Sequence, residues 1–158
     1  MEKIMPMEKW IKLTWILAAI PYFIALIFGI IYAAAGKLLF YHEAFAGMTS
    51  EEIAALHPNL MTLIGLIIRV MGCLFICIGL VGLFVIYLGY RKEQRMAWPI
   101  IFFTSFLLII PLVVETYIVA GWGFPFPIVL ICLICWICAI GLNMMIQAEQ
   151  GDKAAAAT

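Results

Sequence analysis

Two charged residues lie inside long apolar segments of the sequence. Arg69 stands in "LIGLIIRVMG" and Glu115 in "PLVVETYIV". Ionisable groups at membrane depth usually face other helices or a wet cavity, pair with one another and mark functional sites. We therefore expect an Arg69–Glu115 ion pair that holds a ligand. The alternatives are a clamp that only fixes the helix register, and an Arg69 side chain that extends to lipid headgroups.

Helical spacing predicts the faces on which these two charges lie. Arg69 shares a stripe with Gly65, Gly72 and Ile76, and glycine recurs every seven residues at 65, 72 and 79. Such a glycine seam is where another helix approaches closely. On the next long segment a second stripe contains Thr104, Leu108, Pro111 and Glu115. We expect both stripes to face the interior of the protein.

Further polar and aromatic residues are expected at the same end of the molecule as this pair. We count as candidate ligand-binding residues His42, Glu43, His57, Tyr117 and Trp122. Their spacing matches no metal motif, so we expect neither a metal nor a cofactor. The alternative is that the histidines are ordinary loop residues and the aromatics an interfacial belt.

The segment "CLICWIC" contains Cys132 and Cys135 in a CxxC arrangement, which in other proteins can be redox-active. The position is similar to that of the CxxC in four-helix membrane oxidoreductases of the vitamin K epoxide reductase type. Those enzymes relay electrons through cysteines in the first loop, and residues 36–59 contain none. A thiol within lipid is otherwise a small packing residue of low reactivity.

Composition predicts the environment of these residues. Of the 158 residues, 67% are hydrophobic and 11% charged, with no net charge, and the mean hydropathy is +1.17. This is typical of an integral membrane protein, and nothing in the charge indicates a nucleic-acid partner. The expected partner is the lipid bilayer, with a lipid-like ligand or a larger membrane complex as further options; the oligomeric state is left open.

Four apolar segments are long enough to cross the membrane as helices: about 11–35, 60–90, 96–120 and 125–147. The predicted fold is all-α, a four-helix transmembrane bundle over residues 1–148, followed by a flexible cytoplasmic tail over 149–158. "AAA" at 33–35 resembles a signal-peptidase site, but the preceding apolar run is too long, so we expect an uncleaved first span.

Basic residues predict the orientation. They collect near the start (Lys3, Lys9, Lys12), in the connection "RKEQR" (Arg91, Lys92, Arg95) and in the tail (Lys153). By the positive-inside rule both termini face the cytoplasm. In the first exoplasmic loop, Thr49 and Glu52 form a capping-box pattern that predicts a short interfacial helix over about 50–56.

The segment "HPNLMTLIGLIIRVMGCLFICIGLVGL", followed by "YRKEQRMAW", resembles a loose class of small prokaryotic four-helix integral membrane proteins. The resemblance covers the middle third of the chain and rests on an Arg-Val-x-Gly step and a basic turn before an aromatic helix. It implies a multi-pass protein of a prokaryotic cytoplasmic membrane, and it implies no activity.

Three classes of function fit these features. The leading hypothesis is a non-enzymatic membrane protein, either an accessory subunit or a binder of a lipid-like small molecule in an outward-opening polar pocket. The second is a thiol- or quinone-linked oxidoreductase that uses Cys132 and Cys135. The third is a small proton-coupled transporter in which Glu115 carries the proton.

Overall fold

The computed structural model describes the backbone of residues 7–92 and 97–155. These residues form six helices and no strand: α1 (Met7–Ala35), α2 (Phe40–Ala46), α3 (Ser50–Leu56), α4 (Pro58–Lys92), α5 (Ala97–Ala120) and α6 (Phe126–Ala155). The basic residues Lys3 and Arg95 lie outside the described part, as do the side chains of Arg91, Lys92 and Lys153. The start of the third predicted span, Met96, is also outside it.

Within the described residues, α1, α4, α5 and α6 are each long and apolar enough to cross a membrane. This confirms the expected all-helical fold with four helices that could span a membrane. Helices α4 and α6 continue beyond the segments predicted from hydropathy, because their ends are polar but have no helix breaker. Helix α2 has no counterpart among the predictions, since its seven residues, "FYHEAFA", are too short for a periodic pattern.

Helix α3 forms over the predicted residues with the predicted capping box. The backbone N–H of Glu52 donates to Thr49 Oγ1 at 3.2 Å, and the backbone N–H of Thr49 donates to Glu52 Oε2 at 2.7 Å. These two bonds satisfy amides that the first turn of a helix leaves free. Its location at a membrane surface stays a prediction.

The glycine seam of α4 packs against α1. A Cβ atom on Gly72 would lie 2.8 Å from the carbonyl oxygen of Gly29, and one on Gly29 would lie 2.8 Å from that of Gly72. Further along the antiparallel pair, Gly65 meets the backbone of Gly36 and Gly79 that of Tyr22. Backbones this close leave no space for a side chain. Because helices in lipid are not held together by the hydrophobic effect, the close packing that glycine allows stabilises their contact.

Helix α1 also packs against α6, and the order around the bundle is α1, α4, α5, α6. Tyr22 joins α1 to the diagonally placed α5. Its hydroxyl lies 3.2 Å from the carbonyl oxygen of Ile101, contacts Thr104 Oγ1, and accepts a hydrogen bond from Ser105 Oγ at 2.9 Å. Both Tyr22 and Ser105 are fully buried. The polar groups of this cluster are satisfied by one another, which makes it a structural clamp.

The two ends of the bundle carry different features. At the end where α1 begins and α6 ends, here called the terminal end, Trp15 packs on Trp98 with ring centroids 4.6 Å apart. At the other, the loop end, Phe124 of the α5–α6 turn stacks on Phe28 of α1 and Phe40 of α2 at 6.1 and 5.6 Å. The loop end is therefore defined by α2, α3 and residues 121–125. It is also the end at which the candidate site residues lie.

Candidate functional site

Arg69 and Glu115 do not form the predicted ion pair. Among the residues whose side chains are described, the salt bridge found is Lys37–Glu51, with Nζ 3.7 Å from Oε1. Arg69 lies over Gly36 instead: a Cβ atom at Gly36 would be 2.8 Å from Nη2 and 2.9 Å from Cζ of the arginine. The guanidinium thus lies at the C-terminal end of α1, where a cation is favoured by the helix dipole.

The helical position of Arg69 explains this correction. Its stripe does face another helix, as predicted, but that helix is α1, because Gly65 and Gly72 contact it. The α4 residues that face α5 begin at Met71, which lines a groove together with Glu115. On an ideal helix, residues two apart point roughly 160° away from each other. Arg69 is therefore on the wrong side of α4 to reach Glu115.

A groove of about 510 Å³ runs between α4 and α5. The side chains of its α4 wall are, with one thiol, apolar: Met71, Phe75, Cys77, Ile78, Val81 and Val85. Its α5 wall spans Ile100 to Glu115, which at 1.5 Å per residue is a length of roughly 22 Å. Tyr22 contributes to its floor. A large apolar space with few polar groups is the usual form of a small-molecule site.

The predicted stripe on α5 lines this groove. Thr104, Leu108, Pro111 and Glu115 all contribute to its wall, so they share one face as the helical spacing predicts. The face does not turn to the interior as expected, because Thr104, Pro111 and Glu115 are exposed. The hydroxyl of Thr104 is occupied, since it donates to the carbonyl of Ile100 at 2.8 Å and meets Tyr22. The polar group that the stripe leaves for a ligand is the carboxylate of Glu115.

Glu115 lies near the loop end, five residues before Ala120 ends α5, or roughly 7 Å along the helix axis. Its side chain is exposed, and among the described residues it has no hydrogen-bond or salt-bridge partner. A carboxylate without a partner at the head of an apolar groove is poised to accept a hydrogen bond or a positive charge from a ligand.

Two tyrosines and a histidine form a hydrogen-bonded group near Glu115. The hydroxyls of Tyr32 and Tyr41 are 2.6 Å apart, and His42 Nε2 lies 3.5 Å from the hydroxyl of Tyr32. Burial raises the pKa of Tyr41, and the hydrogen bond with Tyr32 and the charge of Glu115 act in the same direction. Tyr41 therefore stays a neutral hydrogen-bonding group at physiological pH.

His42 is held in place by the backbone of the turn before α2. Its Nδ1 accepts a hydrogen bond from the backbone N–H of Leu39 at 3.3 Å. Burial lowers the pKa of His42, so the neutral ring is favoured. Among the described residues, no group of three or more His, Cys, Asp or Glu side chains could hold a metal.

Glu43 and His57 do not line the groove. Glu43 Oε1 accepts hydrogen bonds from the backbone N–H of Ser50 at 2.8 Å and from Ser50 Oγ at 2.6 Å. These bonds lower the pKa of the Glu43 carboxyl and fasten the end of α2 to the start of α3. His57 ends α3, where its backbone N–H donates to the carbonyl of Ile53 at 2.8 Å and its side chain is exposed.

Tyr117 and Trp122 form a second aromatic group at the loop end, away from the groove. The ring of Tyr117 lies 6.3 Å from that of Trp122 and 5.4 Å from that of Phe126. Both candidate residues are exposed, Trp122 at 74%. The structure therefore brings Glu115 to the groove and distributes the other candidates around it.

A smaller cavity of about 50 Å³ lies inside the bundle, and Cys132 lines it. Phe75, Leu108 and Leu112 line both this cavity and the groove, so their side chains separate the two spaces. Cys132 is buried, Cys135 is half-buried, and both are free thiols. Their predicted redox use stays a hypothesis.

Sequence reasoning missed the α4 wall of the groove and the clamp at Tyr22. The stripe of Met71, Phe75, Ile78 and Val85 recurs at helical spacing, but every face of α4 is apolar, so the stripe carries no distinguishing signal.

Compared with known proteins, the chain matches no family model, no curated protein and no solved structure.

Proposed function

We propose that this integral membrane protein binds a lipid-like small molecule in the groove between α4 and α5. The observation that carries the proposal is a groove of about 510 Å³ with apolar walls and, at its loop end, the carboxylate of Glu115, which has no hydrogen-bond or salt-bridge partner among the described residues. The groove favours a binder over an accessory subunit, which would need no such space.

The physics of helix packing in lipid supports this proposal. Transmembrane helices associate chiefly through van der Waals contact, and an empty space between them forfeits those contacts. The contact of α1 with α4 is close enough to require glycine, whereas α4 and α5 diverge around the groove. An apolar chain between α4 and α5 restores the missing contacts.

The dimensions suit one hydrocarbon chain. The groove is long and narrow, about 510 Å³ along a wall of roughly 22 Å, which is the form of one extended hydrocarbon chain. Its length of roughly 22 Å exceeds the thickness of one leaflet, about 15 Å of hydrocarbon. We infer a single-chain amphiphile rather than a two-chain lipid.

Orientation is part of the same proposal. Lys9 and Lys12 lie in the first turns of α1, at the terminal end, and basic residues favour the cytoplasmic side. The loop end, with Glu115 and the two short helices, then faces the exterior. The amphiphile headgroup would lie at the outer surface of a prokaryotic cytoplasmic membrane, and the chain would extend towards the membrane centre.

A matched pair of substitutions tests the proposal. Val81 and Val70 are exposed valines of α4, at 60% and 58%, but only Val81 lines the groove. Native mass spectrometry of the purified protein with tetradecylamine, tetradecanol or tetradecanoate should show one bound molecule of at least one probe. Val81→Phe should remove it and Val70→Phe should not. Absence of binding for all three probes would overturn the proposal, as would equal binding by the two variants.

A further inference from the structure

We infer that the ligand headgroup is cationic: the groove is built for a single-chain amphiphile that ends in an ammonium group, held by the carboxylate of Glu115. This inference rests on the proposed function and adds the chemical class of the ligand. It follows from the charges, the aromatic rings and the depth of the loop end of the groove.

The charges near the groove favour a cation. Glu115 is the ionisable carboxylate that lines it, and no described basic side chain does. Arg69 points towards α1, where it covers Gly36. Lys37 forms its salt bridge with Glu51. The cations at this end of the bundle are thus turned away from Glu115, and the field at the head of the groove is negative.

The hydrogen-bond donors near Glu115 disfavour an anionic headgroup. An acidic headgroup needs donors or a cation; one of the two hydroxyl protons of Tyr32 and Tyr41 is used in the bond between them, and neither tyrosine lines the groove. The hydroxyl of Thr116, one residue along α5, donates to the carbonyl of Leu112 at 2.6 Å. An anion would therefore meet the like charge of Glu115 without compensation.

One of the aromatic rings at the loop end, that of Phe75, forms part of the groove wall. Phe75 packs edge-on against Tyr32, with ring centroids 6.1 Å apart. Tyr41 lies beyond Tyr32 and packs on Phe124 at 5.8 Å. The negative faces of such rings attract ammonium groups.

Depth allows a charged headgroup at this position. Glu115 lies roughly 7 Å from the loop end of α5, a helix of 24 residues and roughly 36 Å, and is therefore far from the middle of the helix. The apolar wall extends from Glu115 towards Ile100. A ligand with its ammonium at Glu115 would keep its charge near water while its chain lies in the groove.

The test compares headgroups on one chain length. Binding of tetradecylamine, tetradecyltrimethylammonium, tetradecanol and tetradecanoate to the wild-type protein is measured at pH 7 by titration in native mass spectrometry. We expect tetradecylamine to bind about tenfold or more tightly than tetradecanol, since a charge-assisted hydrogen bond commonly contributes that factor. Tetradecyltrimethylammonium has no N–H to donate and should bind more tightly than tetradecanol through its charge alone. Tetradecanoate should bind most weakly.

Glu115→Gln should abolish the preference for cations while leaving the affinity for tetradecanol within about twofold. Glu8→Gln, which removes an exposed carboxylate at the terminal end of α1, is the matched control and should change neither. Equal affinity of the wild-type protein for all headgroups, or a preference for tetradecanoate, would overturn the cationic assignment and leave the proposed groove intact. Failure of every probe to bind would overturn the groove itself.

Discussion

Arg69 lies against Gly36 at the end of α1, and Glu115 lies across α4 from it, in the groove between α4 and α5. Arg69 therefore belongs to the contact between α4 and α1, and Glu115 to the groove between α4 and α5. The arginine fits the C-terminal end of a helix, where it is electrostatically favoured. The glutamate is left as the carboxylate of the groove.

This arrangement predicts that Arg69 and Glu115 are energetically independent. Arg69→Met should destabilise the protein by about 0.3–1 kcal/mol through loss of the contact with the end of α1. In the double variant with Glu115→Gln, the two effects should add to within about 0.5 kcal/mol. Unfolding in mixed micelles with increasing SDS measures the cycle. A larger coupling would restore the ion pair and remove the reason for assigning Glu115 to a ligand.

The contact between α1 and α4 predicts a strong dependence on Gly72. A Cβ atom there would meet the backbone of α1, so Gly72→Ala should destabilise the protein by about 1–3 kcal/mol. Gly141→Ala is the control, because a Cβ atom on Gly141 meets nothing within 4 Å; it should not destabilise the protein, since alanine is the better helix former. Melting temperatures in detergent compare the two. Similar values for both variants would mean that α1 and α4 are not in backbone contact.

The buried cluster around Tyr22 predicts an effect on stability. Tyr22→Phe removes a hydroxyl bonded to α5 and should cost about 1 kcal/mol, the usual size for such bonds between membrane helices. Tyr117→Phe, which alters an exposed aromatic residue, should cost less. SDS titration measures both variants. If Tyr22→Phe leaves the stability unchanged, the cluster does not join α1 to α5.

The link between α2 and α3 predicts a pH dependence at Glu43. Hydrogen bonds from Ser50 lower its pKa below the ordinary 4.5. Because the folded-state pKa is depressed, the stabilisation is complete above pH 4.5 and is lost as the pH falls through the lowered pKa. Ser50→Ala should raise the pKa of Glu43 part of the way back, as measured by NMR titration in micelles. Thr49→Ala, which acts on Glu52, should not; equal shifts would rule out Ser50 as the cause.

The helices and the residues that share one helix face could be predicted from sequence because hydropathy and helical spacing carry that information directly. The seam at Gly65, Gly72 and Gly79 packs as expected, and the stripe that ends at Glu115 lines the groove. The neighbour of each stripe could not be predicted. A stripe shows that a helix packs there, not which helix, and so Arg69 was assigned to the wrong contact.

The groove itself could not be predicted from the sequence, for a related reason. Its walls are made of residues that any lipid-facing surface contains, such as Val81 and Leu107. The two helices must diverge to create the space, and divergence depends on packing elsewhere, including the clamp at Tyr22. Neither the divergence of the two helices nor the clamp at Tyr22 has a local sequence signal. Glu115 was recognisable because a charge in an apolar segment is rare.

The central claim is that a single-chain amphiphile binds between α4 and α5. A tetradecylamine that carries a photoreactive diazirine in its chain, crosslinked to the purified protein and mapped by peptide mass spectrometry, tests it most directly. We expect labelling on residues 71–85 and 100–115, which face the groove, and little on the exposed Ile131, Ile134 and Ile137 of α6. Labelling spread evenly over all lipid-facing helices would contradict the account.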